Sequence, residues 1–338
     1  MGPQVPPEVQ YSEWKPSIIV SKKRKNAVVE CDPSTDNPAK KTKRDSKSSS
    51  DSNRAVIPVA RSPVGMIWDE VNWSCAYDSF FGVLLNFWIE DPVRWSAAFH
   101  EHGELLTLVS SQFAKYVAGT FTPEQARNAV RRGLYTVNRR VFAYGPHLTS
   151  IDRLAMTMLS DITYASGHNA CFVCGCHDPV QHNFLEAYVS VGLSESNREP
   201  TGVSINEWMR AYMSKGRGIC RVCANRRLRG STSMHDVILK AVPPFVVISL
   251  DSDNILLDQH LIIDATNGQA TLNLRGIVYG GEGHFTCRIV RPNGETWFHD
   301  GITTGSSCVR ELDYGLVGNL LAMQTCRGKR AIVAVYVS

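Results

Sequence analysis

The sequence predicts an α+β fold, because segments with helical periodicity come first and short β-prone segments follow. Helical patterns lie between about residues 74 and 161, and after Cys171 the chain contains short apolar runs separated by turn residues. Helices and strands that are segregated along a chain in this way indicate an α+β arrangement rather than alternating βαβ units. The sequence contains no internal repeat.

The first 62 residues differ in composition from the rest of the chain. They contain twelve Lys and Arg residues and seven Asp and Glu residues, a net charge of +5, so the other 276 residues carry −1 within the total of +4. A segment rich in Pro, Ser and charged residues with few large apolar ones cannot bury enough surface to offset the entropy cost of ordering. We therefore predict a disordered basic tail at residues 1–62 and one folded domain at residues 63–338.

Two basic clusters lie in this tail, "KKRK" at 22–25 and "KKTKR" at 40–44, with fourteen residues between them. This spacing suits a two-part nuclear import signal, which predicts import receptors as partners and a nuclear or nucleo-cytoplasmic location. The alternative is a solvated charge run that binds nucleic acid only non-specifically. Because the positive charge belongs to the tail, it does not indicate a nucleic-acid groove on the folded domain.

The remaining composition points to an intracellular protein without a membrane partner. The longest apolar run, "FFGVLLNFWI" from Phe80, is about half the length that a membrane helix requires. The chain does not open with a secretory signal, which predicts a reducing compartment. In that setting the ten cysteines indicate metal binding or catalysis more often than disulfides.

Four helices are predicted in the N-terminal half. The segment "SCAYDSFFGVLLNFWIE" has the apolar density of a buried helix and ends at Asp91-Pro92, since proline interrupts a helix. "ELLTLVSSQFAKYV" begins a second helix near Glu104, and "SIDRLAMTMLSD" forms another. Between them, Thr122 as N-cap, Pro123 at the first helical position and Gln125 form a capping box.

The C-terminal half contains seven β-prone runs, of which two are joined by an evident hairpin. Pro292-Asn293-Gly294 separates "HFTCRIV" from "ETWFHD", and Asn-Gly between alternating apolar residues is a strong hairpin signal. The other runs are "NFLEAYVSVGL", "PFVVISLD", "HLIIDA", "LRGIVYGG" and "AIVAVYVS".

Two Cys-x-x-Cys pairs predict a structural zinc site with Cys171, Cys174, Cys220 and Cys223 as ligands. Each pair can form a tight knuckle with two thiolates directed at one ion, and two knuckles complete the tetrahedral shell that zinc prefers. The 45 residues between Cys174 and Cys220 exceed the spacing of a compact finger, so zinc would bind at the base of an inserted zinc ribbon at about residues 165–230.

The alternatives for this region are that Cys176 or His177 replaces a neighbouring ligand, or that the four cysteines are unlinked and buried. A zinc module for nucleic acid is a further alternative, which the near-neutral charge of the folded domain disfavours.

One thiol, one imidazole and one carboxylate form a candidate catalytic set. Cys75 lies where a turn-prone segment meets the first apolar helix, and the positive end of a helix favours thiolate. His284 follows a glycine-rich run and is the candidate base. Asp300 lies on the partner strand of the predicted hairpin, within a few residues of the register of His284, where a hydrogen bond is feasible. His299 points to the opposite face and is a weaker candidate. Taken alone, a Cys–His–Asp set is weak evidence, and the simpler interpretation of His284 is a core histidine.

The combined arrangement resembles the ubiquitin-specific protease family of papain-like cysteine peptidases. "SCAYDS" at 74–79 is similar to the Cys box of that family, and "GHF" at 283–285 with "WFHD" at 297–300 is similar to its His box. The cysteine pairs lie between the two boxes, as the zinc-bearing fingers of the family do. The resemblance covers about residues 66–338 and is specific in order and spacing, but loose in identity.

This resemblance implies a papain-like fold with thumb, palm and zinc-bearing fingers. It implies that Cys75 is the nucleophile, His284 the base and Asp300 the orienting residue in a hydrolase that cleaves isopeptide bonds at the C-terminus of ubiquitin or a ubiquitin-like modifier. The conjugates of those modifiers would be its partners.

Two positions differ from the family pattern. Glu70 occupies the place of an Asn that donates to the oxyanion, which leaves Asn72 or the Cys75 backbone N–H as the expected donor. Asp78 replaces an Asn and puts an anion near the thiol, so activity is in question. The alternatives are a catalytically inactive binding module of the same fold, or a transglutaminase-like acyltransferase.

Overall fold

The computed structural model describes residues 62–161, 165–171, 174–175, 177–182, 185–187, 202–213, 216–219, 232–239, 241–250, 255–311 and 320–338. The predicted tail, apart from Ser62, lies outside the described residues, and so do Cys176, Cys220 and Cys223. The division of the chain into a tail, a domain and an inserted ribbon therefore stays a prediction.

Five helices make up the first part of the described chain, and two more occur later. They are α1 (Cys75–Glu90), α2 (Pro92–Glu101), α3 (Glu104–Val117), α4 (Pro123–Val137), α5 (Ile151–Met158), α6 (Ile205–Met213) and α7 (Leu320–Met323). The four predicted helices correspond to α1, α3, α4 and α5 and are confirmed. Among the described residues, no helix combines the length and the apolar character needed to cross a membrane.

Side-chain caps are present at the start of α4, which the sequence predicted, and at the starts of α2 and α6, which it did not predict. The Thr122 hydroxyl accepts a hydrogen bond from the Gln125 backbone N–H, which confirms the predicted capping box of α4. Ser204 and Glu207 form a similar reciprocal pair at the start of α6. Asp91 caps α2, whose first residue is a proline. The same Asp-Pro pair ends one helix and begins the next, because proline is well tolerated at the first helical position.

The described strands form a large central sheet, a four-stranded sheet and one isolated parallel pair. They are β1 (Ala165–Cys171), β2 (His177–His182), β3 (Leu185–Ala187), β4 (Val203–Ser204), β5 (Gly216–Ile219), β6 (Thr232–Leu239), β7 (Phe245–Leu250), β8 (Ile255–Leu256), β9 (His260–Ala265), β10 (Gly268–Gly281), β11 (His284–Val290), β12 (Thr296–His299), β13 (Val309–Glu311), β14 (Thr325–Cys326) and β15 (Lys329–Val337).

The central sheet has the order β13-β12-β11-β10-β15-β7-β3, with β9 paired to β10 and β14 paired to β15. All of its pairs are antiparallel except β3 with β7. The smaller sheet has the order β2-β1-β6-β5 and is antiparallel, and β4 pairs with β8. The predicted combination of helices and sheet is thus confirmed. Six of the seven β-prone runs contain strands where predicted, and the described part of "NFLEAYVSVGL" contains the short β3.

Helix α1 is buried from Cys75 to Trp88 because it packs between the other helices and the central sheet. On the sheet side, β10 has a glycine, Gly276, where any added Cβ would overlap a methyl group of Val83. Close packing of this kind leaves no room for even one methylene group. The glycine therefore allows α1 to lie directly on β10 and β11 and sets the position of its first residue.

The β11–β12 hairpin confirms the turn predicted from Asn293-Gly294. Val290 pairs with Thr296 next to the turn, and Cys287 pairs with His299 at the far end. His299 is fully buried, where its Nε2 accepts a hydrogen bond from the Met66 backbone N–H at 3.2 Å. Burial lowers the pKa of His299, so this histidine serves as a neutral core residue that anchors the segment before α1.

The β10–β11 turn contains two residues, Glu282 and Gly283, with φ angles of 52° and 70°. Gly281 and His284 are paired on either side of it. Two consecutive positive φ values are those of a type I′ hairpin turn, which favours Asn and Gly. The glycine-rich run before His284 is therefore an ordered strand end and a tight turn, in which Glu282 adopts a conformation that its side chain disfavours.

Replacement of Glu282 with Asn is expected to stabilise the protein by about 0.5–1 kcal/mol, because Asn tolerates the left-handed conformation better. Replacement of Gly283 with Ala at the next position is expected to destabilise it by about 1 kcal/mol or more. Urea unfolding of both variants measures these differences. A lower free energy of unfolding for Glu282→Asn than for wild type would contradict the assigned turn.

Candidate active site

Cys75 is the first residue of α1, and its side chain is 4 % exposed. Burial raises the pKa of its thiol to about 11, and hydrogen bonding from the backbone N–H groups of Phe285 and Ala76 acts in the opposite direction. Nearby Asp78 raises the pKa further. The thiol is therefore protonated at neutral pH, and a nucleophilic role requires a base that removes its proton.

The structure brings His284 and Asp300 into direct contact. His284 is the first residue of β11 and immediately precedes Phe285, whose backbone N–H lowers the pKa of Cys75. Asp300 follows β12, and its Oδ1 lies 2.9 Å from the His284 Nε2. His284 and Asp300 thus contact each other on the β11–β12 hairpin, and β11 packs on α1, the helix that begins at Cys75.

Asp300 is held by three hydrogen-bond donors. Besides His284, the Ile302 backbone N–H donates to Oδ1 at 3.0 Å and the Thr303 hydroxyl donates to Oδ2 at 2.9 Å. Burial opposes ionisation of Asp300, but these hydrogen bonds outweigh it and lower its pKa to about 2. An ionised carboxylate only accepts hydrogen bonds, so the His284 Nε2 carries a proton. In the neutral imidazole, Nδ1 is then the acceptor.

Asn72 lies in the loop before Cys75 and has a fixed side-chain orientation. Its Nδ2 donates to Asp69 Oδ2 at 2.9 Å, and its Oδ1 accepts from the Gly145 backbone N–H at 3.0 Å. Asp69 Oδ1 accepts from the N–H groups of Val71 and Asn72, both at 3.1 Å. The second Nδ2 hydrogen of Asn72 is not used by these bonds. Asn72 thus keeps one hydrogen that could be donated to an oxyanion.

The two residues that differ from the family pattern have different environments. Glu70 is exposed in the turn before α1. Asp78 is buried in the first turn of α1, where the Arg127 guanidinium lies 2.5 Å from Oδ1 and the Ser74 hydroxyl donates to Oδ2 at 2.7 Å. Burial raises the pKa of Asp78 to about 7, and Arg127 opposes this shift. The anion expected near the thiol therefore has a buried cation as its partner.

Sequence reasoning missed three residues of this site: Asp69, Arg127 and Thr303. Arg127 had a usable signal, because it lies on the buried stripe of α4. An arginine within the apolar stripe of an amphipathic helix predicts a buried partner for its charge. The other two make short-range bonds within loops, which have no periodic pattern.

The first predicted cysteine pair lies at the end of β1. Cys171 is buried and ends the strand, and the Gly175 backbone N–H donates to its carbonyl at 2.9 Å. Gly175 has a φ of 68°, so the chain turns tightly around Cys174. In the described part of the chain, no cluster of three or more metal-binding side chains is present, and the second cysteine pair lies outside those residues.

Comparisons with known proteins give a distant likeness. No protein-family model matches the sequence, and no curated protein matches it. A solved structure of the SAGA DUB module of Ubp8, Sgf11, Sus1 and Sgf73 bound to monoubiquitin is similar, with 11% identity and a TM-score of 0.49 over 82% of this chain and 69% of that chain. The same module bound to ubiquitin aldehyde gives 12% identity and a TM-score of 0.48 over 82% and 70%. At these values, the likeness carries no argument about activity, which has to be built from the site itself.

Proposed function

We propose that this protein is a cysteine-type isopeptidase that hydrolyses bonds to the C-terminal glycine of ubiquitin or a ubiquitin-like modifier. The observation that carries the proposal is the hydrogen bond of 2.9 Å between His284 Nε2 and Asp300 Oδ1, at the start of a strand that packs on α1, the helix that begins at Cys75. The resemblance of the Cys and His boxes to ubiquitin-specific proteases supplies the substrate class. On this proposal α1–α5 would form the thumb, the central sheet the palm and the four-stranded sheet the fingers.

The chemistry begins with a neutral thiol. Because burial favours the protonated form of Cys75, its proton passes to His284 Nδ1 as the sulfur attacks the carbonyl carbon. The C–S bond forms as the carbonyl electron pair moves to oxygen. His284 then protonates the leaving lysine amine, and the C–N bond breaks to give a thioester. Water, deprotonated by His284, hydrolyses the thioester and restores the thiol.

Asp300 keeps the imidazole in the orientation that this sequence of steps needs. Its carboxylate holds the proton on Nε2, so Nδ1 stays free to accept from the thiol, and it stabilises the imidazolium that forms after transfer. Thr303 and the Ile302 N–H in turn hold the carboxylate. A cysteine nucleophile needs a base whose orientation is fixed by a third group, and Asp300 would be that group.

The oxyanion can be stabilised without a donor at position 70. The backbone N–H of Cys75 at the helix start and the second Nδ2 hydrogen of Asn72 are candidate donors. Glu70 is exposed, so it has no part in this proposed role.

A structural zinc ion forms part of the same proposal, with Cys171, Cys174, Cys220 and Cys223 as ligands and Cys176 or His177 as alternatives. The backbone fits this arrangement. Cys171 pairs with Ser233 of β6, and Ile219, which directly precedes Cys220, pairs with the neighbouring Thr232. The described ends of β1 and β5, at Cys171 and Ile219, therefore lie at the same end of β6, and Cys220 is the next residue in the sequence after Ile219. Zinc bound there would crosslink β1 and β5 across β6.

The proposed location is nuclear or nucleo-cytoplasmic, supported by the two basic clusters at 22–25 and 40–44. Import receptors would bind them, and nucleic acid would contact the tail only non-specifically.

A ubiquitin probe with a C-terminal electrophile is expected to label the wild-type protein once, at Cys75, as measured by intact mass and peptide mapping. Cys75→Ala is expected to give no adduct. Cys308→Ser, at a half-buried cysteine outside the site, serves as the matched control and is expected to be labelled like wild type. His284→Ala should lower kcat/KM for a fluorogenic ubiquitin amide by about 10²–10⁴-fold.

Tight binding of ubiquitin without any adduct or hydrolysis would favour the inactive binding module. Incorporation of amines into glutamine side chains without isopeptide cleavage would favour the transglutaminase-like alternative.

The lowered pKa of Asp300 predicts an acid-dependent loss of stability. Because the folded pKa of about 2 lies below the ordinary 3.8, ionised Asp300 stabilises the fold at pH values above about 4, by about 2 kcal/mol, and this contribution is lost as pH falls toward 2. The difference in unfolding free energy between wild type and Asp300→Asn should therefore shrink over this range. Thr303→Val should show a smaller loss, and a difference that stays constant with pH would contradict the assignment.

Replacement of Cys171 with Ser is expected to abolish binding of about one zinc ion per chain, measured by native mass spectrometry, and to destabilise the domain. The matched control is Cys326→Ser, a buried cysteine outside the proposed ligands, which is expected to keep the ion. A wild-type protein that contains no zinc after expression in zinc-supplemented medium would contradict the proposal.

A further inference from the structure

We infer that Arg127 is a positioning residue for the site: its guanidinium fixes the segment at residues 67–74, which immediately precedes Cys75. The inference rests on the proposed function for its catalytic consequence, and on the structure for its geometry.

Arg127 contacts both ends of this segment and the first turn of α1. Its Nη1 group lies 2.7 Å from the Ile67 carbonyl, 3.2 Å from the Ser74 hydroxyl and 2.5 Å from Asp78 Oδ1. Ile67 and Ser74 are 60 and 53 residues away in the sequence. One side chain from α4 thus contacts both the loop and the start of α1. The Ile67 backbone N–H also donates to Glu124 of α4 at 2.9 Å, and the Trp68 backbone N–H donates to the Gly301 carbonyl at 3.2 Å.

The bonds continue from Ser74 to Asn72. The Ser74 hydroxyl donates to Asp78 and accepts from the Asp69 backbone N–H at 2.7 Å. Asp69 then binds the Asn72 side chain. The proposed oxyanion donor is therefore the end of a continuous chain of hydrogen bonds that begins at Arg127.

The segment needs such restraint because its backbone is strained. Trp73, two residues before Cys75, has a φ of 39°, a left-handed value that a bulky side chain disfavours. Residues in sparsely populated backbone regions persist only where the surroundings over-determine them. The bonds of Arg127 at Ile67 and Ser74 bracket this residue.

Stability alone does not account for a fully buried ion pair. The side chains of Arg127 and Asp78 are each 2% exposed. Replacement of a buried ion pair with well-packed apolar residues is often neutral or stabilising, because two charges no longer have to leave water. Residue Arg131, one turn later on α4, is also buried, but it stacks on Tyr77 and Tyr144 rather than on a carboxylate. Arg131 therefore shows that an arginine can be buried on α4 by stacking on aromatic rings, without a carboxylate partner.

The test compares variants that separate stability from positioning. Arg127→Met leaves Asp78 unpaired, whereas Asp78→Leu combined with Arg127→Met removes both charges. Arg127→Lys keeps a cation beside Asp78, but it loses the Nε bond to Asn128 at 3.0 Å and places the ammonium on a more flexible side chain. The control is Glu90→Gln, which breaks the ion pair between Arg275 and Glu90, the last residue of α1.

Three experiments are done on the full chain. They measure the urea unfolding midpoint, the amide hydrogen exchange of residues 67–74, and kcat and KM for a fluorogenic ubiquitin amide. The double variant is expected to keep a midpoint close to wild type, while exchange in 67–74 becomes at least about tenfold faster and kcat falls at least about tenfold with KM little changed. Arg127→Lys should show the same exchange and kcat effects. Glu90→Gln should change neither.

A double variant with wild-type exchange in residues 67–74 and wild-type kcat would overturn the inference, since the pair would then be only a structural contact. Failure of the wild type to hydrolyse the ubiquitin amide would count against the proposed function alone, because the hydrogen exchange of the same variants still decides whether Arg127 fixes the segment.

Discussion

The packing of α1 between the helical region and the central sheet is the constraint on which the site depends. Every residue from Cys75 to Trp88 is buried, so α1 cannot rotate or slide without opening the core. Gly276 permits close contact with Val83, and a buried helix held in this way places its first residue with little freedom. The β11 strand packs on the same helix, so the relation between Cys75 and the start of β11 follows from core packing rather than from contacts within the site.

Once this framework is fixed, charges are arranged in two separate pairs. Asp300 is ionised and holds His284, while Asp78 is paired with Arg127 in the first turn of α1. Burial makes the Cys75 thiol a poor acid in the free protein. In the proposed mechanism, a buried neutral thiol transfers its proton to the oriented imidazole during attack, and no thiolate is formed beforehand. Asp78 thus has a buried partner in Arg127, and it also raises the pKa of the Cys75 thiol.

Much of this arrangement could be predicted from the sequence, and the residues that were missed have a common physical reason. Helices with a clear stripe or cap, such as α1 and α4, and the Asn293-Gly294 hairpin have local signals. That hairpin was enough to place Asp300 near His284. Helix α2 is not predicted from the sequence, because Asp91-Pro92 indicates only the end of α1.

The loop between Ile67 and Ser74 could not be predicted, because its conformation depends on a residue more than fifty positions away. Non-local bonds of this kind leave no periodic pattern, although an arginine on the buried stripe of α4 was a usable sign. The glycine-rich run before His284 forms an ordered turn, because two positive φ values fit a type I′ hairpin.

The central claim is that Cys75, His284 and Asp300 act as one unit, with the imidazole proton held on Nε2 and Nδ1 left to accept from the thiol. Nitrogen-15 NMR of histidine-labelled protein at alkaline pH, with His284→Gln used for assignment, measures this directly. The account predicts that neutral His284 is protonated at Nε2, and that Asp300→Asn weakens this preference. A neutral His284 protonated at Nδ1 would contradict it, because that nitrogen could not then take the proton of Cys75.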